Sequence, residues 1–129
     1  MKRKLFIGLL TAMICIFAAV QVVQAGTTSF DVLVPRLGGT ANTNVTTKST
    51  STQQWAVYNI AVGANKTVSF RPYTSSNSAV GSWVSGTTGS QIYAPYSTTQ
   101  SVGALIYLRI KTAVSELVTV EVSGTFDSY

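Results

Sequence analysis

The chain has no histidine and one cysteine, Cys15. That removes the Ser–His and Cys–His pairs that activate a nucleophile, and the usual zinc ligand sets. Four carboxylates remain: Asp31, Glu116, Glu121 and Asp127. A glycosidase needs two carboxyl groups facing each other across one cleft. Glu116 and Glu121 are an odd number of residues apart, so on one strand they would point to opposite faces. Asp31 and Glu121 belong to segments far apart in sequence, and nothing places them together. All four read as solvated surface charge. No Asp-x-Asn-x-Asp-Gly loop occurs, and acidic residues are too sparse to cage calcium. The expectation is a protein with no catalytic residues, no cofactor and no metal.

Aromatic side chains come next: Trp55, Tyr58, Tyr73, Trp83, Tyr93, Tyr96, Tyr107 and Tyr129. Exposed rings on a sheet stack on sugars or sit at a membrane interface; buried ones fill a core. Trp55 and Trp83 read as core. Tyr107 differs, because it shares the polar side of its segment with Arg109 and Lys111. Tyr107, Arg109 and Lys111 are therefore the candidate surface-contact residues. Asn44-Val45-Thr46 and Asn65-Lys66-Thr67 match the glycosylation sequon, but chance matches are expected in a Thr-rich chain.

The elements that must position these groups are strands. Apolar residues recur at period two rather than 3.6. Phe30, Val32 and Val34 alternate with Asp31 and Leu33 until Pro35 and Gly38-Gly39 turn the chain. Residues 40–53 are almost all Thr, Ser, Asn and Gln and read as a loop or a polar edge strand. Gln54 to Val62 reads as a strand with Trp55 and Val57 on one face and Ala56, Tyr58 and Ile60 on the other. Gly63-Ala64-Asn65-Lys66 turns it toward a strand from Thr67 to Tyr73, so the two are expected to form a hairpin. Short runs follow around Val80–Val84 and Gln91–Tyr93. A second hairpin is expected at the end. Ala104, Ile106, Leu108 and Ile110 line its buried face, Ala113 to Glu116 turns it, and Val118, Val120 and Val122 return. Pairing there would set Arg109 or Lys111 against Glu121. Six or seven strands with turns between them predict an all-β fold, an antiparallel β-sandwich with a small open β-barrel as the alternative.

The beginning of the chain has another character. Lys2, Arg3 and Lys4 precede an apolar run of 16 residues, Leu5 to Val20, and then Val23 and Ala25 at the positions of a cleavage site. This is the three-part pattern of a secretory signal peptide, cut after Ala25. The run is shorter than the roughly 20 residues of a membrane-spanning helix. Ile14 is too bulky to precede a lipid-modified cysteine, so Cys15 reads as one more apolar side chain of that run. Residues 1–25 are thus expected to be a signal peptide and residues 26–129 one secreted domain without a stable transmembrane anchor. The whole chain carries +5; losing three of its nine basic residues leaves six against four acidic ones, a net +2. Those six are scattered along the sequence and form no basic stripe, which argues against nucleic acid as a partner.

Three segments, Phe30-Asp31-Val32-Leu33-Val34-Pro35-Arg36-Leu37-Gly38-Gly39, Tyr93-Ala94-Pro95-Tyr96-Ser97 and Val122-Ser123-Gly124-Thr125-Phe126-Asp127, follow one another with a Trp55-led strand between. In that order they resemble a family of small secreted β-rich proteins of Gram-positive bacteria. It is classed as a domain of unknown function and associated with lactococcin-type bacteriocin gene neighbourhoods. The resemblance spans nearly all of residues 26–129. This chain departs from the pattern in its Ser/Thr-rich middle and in lacking an acidic tail. The resemblance implies a compartment and a fold, and no catalytic residues. The functional expectation is a secreted, non-enzymatic interaction or structural protein with an extracellular or cell-envelope partner, or with itself. The alternatives are a bacteriocin-like or membrane-active protein and a carbohydrate-binding module.

Overall fold

The computed structural model describes residues 26–129. The expected signal peptide, with Cys15, lies outside the described residues. Nine strands are present among those described: β1 Thr27–Val34, β2 Thr40–Asn42, β3 Thr46–Thr47, β4 Gln54–Val62, β5 Val68–Thr74, β6 Val84–Gly86, β7 Ile92–Pro95, β8 Leu105–Thr112 and β9 Val120–Asp127. The strands beyond the expected six or seven are the short β2 and β3, from the polar stretch 40–53. The strands form two antiparallel sheets packed on each other, a β-sandwich. The first has the order β1-β9-β4-β7; the second has the order β2-β8-β5-β6, with β3 also on β8.

Period-two patterning sets which side chains face inward. Phe30 and Val34 of β1 are buried while Asp31 and Leu33 between them are exposed. On β8, Ile106, Leu108 and Ile110 are fully buried. They meet Val34, Val57, Val122 and Phe126 from the first sheet and Val68 and Phe70 from β5 in one core. Phe30 and Phe70 bridge the two sheets with ring centroids 6.4 Å apart. Trp55 is fully buried in the same core, as expected. Pro35 ends β1, and the turn after it closes so tightly that a Cβ on Gly39 would lie 2.5 Å from the Pro35 ring.

Strand β4 departs from simple alternation. Asn59 has φ +55°, and the pairing with β9 shifts register between Tyr58 and Ala61. This β-bulge turns the second half of the strand over. Ile60 and Val62 therefore join Trp55 and Val57 in the core, and Ile60 does not share a face with Tyr58.

Neither expected hairpin forms. β4 pairs with β7 and β9, whereas β5 pairs with β6 and β8. β8 pairs with β2, β3 and β5, whereas β9 pairs with β1 and β4. Each supposed hairpin is instead an arch that carries the chain from one sheet to the other. The first arch contains the short 3₁₀ turn Gly63–Asn65, with Ala64 and Asn65 at positive φ. The second runs through residues 113–119. These links are longer than the two-residue turns typical of hairpins and reach across the roughly 10 Å between packed sheets. The longest ladder is between sequence-distant strands, β1 with β9, from Thr27 opposite Asp127 to Val34 opposite Val120.

The two ends of the sandwich are closed differently. At one end Lys48 is fully buried. Its Nζ donates to the main-chain oxygens of Thr50 at 2.8 Å and Tyr129 at 3.3 Å, and to that of Thr52. It also lies 5.6 Å from the Tyr96 ring centroid. Gln53 and Gln100 bond reciprocally beside it, at 2.8 and 2.7 Å. At the other end the β1–β2 turn meets the β8–β9 arch, through Leu37 N–H to Glu116 O at 2.8 Å and Gly38 N–H to Ala113 O at 3.0 Å.

Candidate functional site

The outward side chains of the second sheet form a grid of cations and rings. Register places Arg71 opposite Arg109, Tyr73 opposite Tyr107 and Ser69 opposite Lys111. Asn42 of β2 is opposite Arg109 on its other side. Trp83 precedes β6 and completes the row beside Arg71. The two tyrosine rings stack at 5.7 Å with planes 14° apart, and Trp83 meets Tyr73 edge-on at 6.5 Å.

Like charges directly opposite each other on a sheet repel. Here ring faces and amide oxygens beside the cations offset part of that repulsion. The Arg109 guanidinium lies 4.1 Å from the Tyr73 ring centroid, and Lys111 Nζ lies 4.1 Å from that of Trp83. Arg71 sits 5.7 Å from both Tyr73 and Trp83, and its Nε donates to Gly81 O at 2.7 Å. Asn77, at φ +70° in the loop after β5, turns its Oδ1 into the centre. That oxygen accepts from Arg109 Nη2 and from Tyr107 OH, both at 2.6 Å. Arg109 Nη2 also donates to Tyr107 OH at 2.9 Å, and Arg109 Nε donates to Asn42 Oδ1 at 3.2 Å. Each cation is held in a fixed direction by neutral partners, which leaves its charge uncompensated.

Charge is sorted by sheet. The strands of the second sheet contain Arg71, Arg109 and Lys111 and no acidic residue, while those of the first contain Asp31, Glu121 and Asp127 and no basic one. The fourth carboxylate, Glu116, is in the β8–β9 arch and pairs with Lys66 at 3.4 Å.

The three residues singled out from sequence thus lie together, but not as expected. Tyr107 is only 8% exposed: its ring is covered by Tyr73 and its hydroxyl is engaged, so it supports the surface more than it presents itself. Arg109 and Lys111 do not face Glu121, because β8 and β9 are in different sheets. Trp83 is partly exposed on this face and is not core. Sequence reading missed Arg71, Asn42 and Asn77, and named Tyr73 only among the aromatic rings. Arg71 and Tyr73 carry a period-two signal that a correct pairing of β5 with β8 exposes at once. Asn77, in a loop, carries none. Three of the six basic residues that look scattered along the sequence, Arg71, Arg109 and Lys111, are gathered here.

Two shallow recesses, of about 220 and 210 Å³, lie elsewhere. Ala61, Val62, Gly63, Glu121 and Ser123 line the first; Gln53, Gln54, Tyr93, Ala94 and Pro95 line the second. Glu121 is the one carboxylate between them. Among the described residues, no three His, Cys, Asp or Glu side chains gather as metal ligands would, and no helix is long and apolar enough to cross a membrane. No protein-family model and no curated protein sequence matches the chain.

Proposed function

We propose that the chain is exported, cut after Ala25, and that residues 26–129 act outside the cytoplasm as a non-enzymatic binding domain. Its contact surface is the outer face of the second sheet, and its partner is an anionic polymer of the cell envelope, bearing phosphate or carboxylate groups. One observation carries the reading. Arg71, Arg109 and Lys111 share one face with no carboxylate on its strands, while the acidic strand residues are on the opposite sheet. Side chains two apart on a strand are about 6.7 Å apart, and those opposite each other across strands about 5 Å. This spacing suits a chain of repeated anions, and preoriented guanidinium groups lose little freedom on binding phosphate or carboxylate. Sugar-ring stacking fits less well, since Tyr73 and Tyr107 are each only 8% exposed.

The test is titration of the domain with an anionic envelope polymer and with a neutral polysaccharide of similar length, followed by Trp83 fluorescence at several salt concentrations. The expected result is binding to the anionic polymer alone, weakening with salt, and at least tenfold weaker in the Arg109→Gln/Lys111→Gln double variant. Equal binding by that variant, or no binding to the anionic polymer, defeats the proposal. A preference for nucleic acid would replace the partner class.

A further inference from the structure

The end of the sandwich opposite Lys48 exposes aliphatic side chains on two turns that are bonded to each other. Leu37 is 57% exposed, Val114 83%, Leu117 73% and Val118 48%; Leu33, the last outward residue of β1, adds a fifth at 66%. Scattered single apolar residues are ordinary on a surface, but a contiguous group is a mark of interaction. The two turns that carry Leu37, Val114, Leu117 and Val118 are bonded to each other. Leu37 N–H donates to Glu116 O, and Gly38 lies against Val114, whose Cγ1 would be 3.1 Å from a Cβ there. Thr112 Oγ1 ties the arch to Pro35 O at 2.7 Å. Leu37 has φ +59°, a region that leucine avoids. In that conformation it stands outward at a turn tip, where core packing does not require it.

The charges around this end are mixed, with a positive balance. Arg36 precedes Leu37 and is exposed; Lys66 lies in the β4–β5 arch, and Lys111 is near the end of β8. Glu116 is drawn inward: Lys66 pairs with it, and its Oε1 accepts from the N–H groups of Leu117 and Val118 at 3.1 and 3.4 Å. Glu121, opposite Leu33, is the other acid nearby. Three cations against two acids leave a surplus of one; with Lys66 and Glu116 paired, the exposed Arg36 beside Leu37 presents positive charge at the tip and complements a negative surface.

We propose that this apolar end docks on an anionic lipid bilayer, with Leu37, Val114, Leu117 and Val118 entering the interface and Arg36 among the headgroups. Side chains standing out on two tips suit a soft interface. A stable protein interface engages about 20–30 residues and 800 Å² a side, far more than these turns offer to a second copy of the chain. Apolar insertion and basic residues act together on anionic membranes, so neither alone is sufficient.

The test uses residues 26–129, which contain all nine strands and the core described above, in cosedimentation with phosphatidylglycerol/phosphatidylcholine vesicles and with phosphatidylcholine alone. Binding to the anionic vesicles is expected, and a fall of at least tenfold in the Val114→Ser/Leu117→Ser variant, whose exposed substitutions leave the circular dichroism spectrum unchanged. Leu37→Asn, which tolerates the same backbone, should weaken binding in the same direction. The Arg71→Gln/Arg109→Gln variant should keep vesicle binding, because those residues belong to the polymer-contact face; this separates the two proposals. Absence of binding to anionic vesicles, or undiminished binding by Val114→Ser/Leu117→Ser, overturns the inference. So does concentration-dependent dimerisation that this variant abolishes, which would assign the surface to a second copy.

Discussion

Lys48 holds its ammonium group out of water, inside a stretch of Thr, Ser, Asn and Gln that has no apolar pattern of its own. Burial lowers its pKa from the ordinary lysine value, and the Asp127 carboxylate partly offsets that. The main-chain oxygens of Thr50, Thr52 and Tyr129 make this cost tolerable by accepting its protons. Lys48→Met keeps the aliphatic stem and removes the donor, so it leaves those oxygens without this partner. A loss of about 1–3 kcal/mol is expected, read from the urea midpoint at neutral pH. Tyr96, above the same ammonium, is pushed well above the usual tyrosine value, first by burial and then by Asp127; Tyr58 and Tyr129 shift the same way. An unfolded tyrosine ionises near pH 10, while the folded one stays protonated. The stability each tyrosine contributes is therefore complete below about pH 10 and is lost as pH rises above it. Lys48 acts in the opposite sense, since stability climbs with pH between its lowered folded value and the unfolded value. With three tyrosines against one lysine, the urea midpoint is expected to fall above pH 10. Tyr96→Phe should flatten that fall, and an unchanged slope in this variant would remove Tyr96 as its cause.

At the scale of elements, one backbone irregularity and two arches decide the arrangement. Asn59, in left-handed conformation, makes the bulge that returns Ile60 and Val62 to the core. Asn59→Gly should be nearly neutral, whereas Asn59→Val should cost about 1–2 kcal/mol, seen as a lower melting temperature. The bulge was hidden in the sequence because Asn is ordinary in a polar position of a strand, and alternation was simply extended through it. The arches make a sharper prediction. Ser69→Cys with Lys111→Cys are neighbours in register and should oxidise to a disulfide in the otherwise cysteine-free domain. Lys111→Cys with Glu121→Cys, the pair a β8–β9 hairpin would bring together, should stay reduced. Thiol titration after mild oxidation distinguishes them, and the reverse pattern would contradict the two-sheet assignment.

For the whole molecule the consequence is a sorting of charge. Had β8 paired with β9, Arg109 and Lys111 would have faced Glu121 and the surface would have been neutralised locally. Because the arch sends β9 to the other sheet, the cations of β5 and β8 stand together without an acid on their strands. A modest net charge of +2 from Gly26 onward then coexists with a strongly polarised surface, which is the quantity that steers an anionic partner. Export sets whether the domain meets such a partner. Mass spectrometry of culture supernatant is expected to find a species beginning at Gly26; a full-length species retained with the cells would reject the export reading.

The residues alone determined the all-β class, the positions of most strands and the inward faces of β1 and β8, because alternation at period two is a local property of the chain. They also placed Tyr107, Arg109 and Lys111 on one side of a strand, since that too is local. Which strands pair was decided only in the folded molecule. Two successive amphipathic strands joined by five to seven residues read alike whether they share a sheet or face each other across the core, because both arrangements bury the same side chains. The cationic face, the apolar turns at one end and the buried ammonium at the other are all products of that choice. Each brings together residues whose separation along the chain carries no trace of their contact.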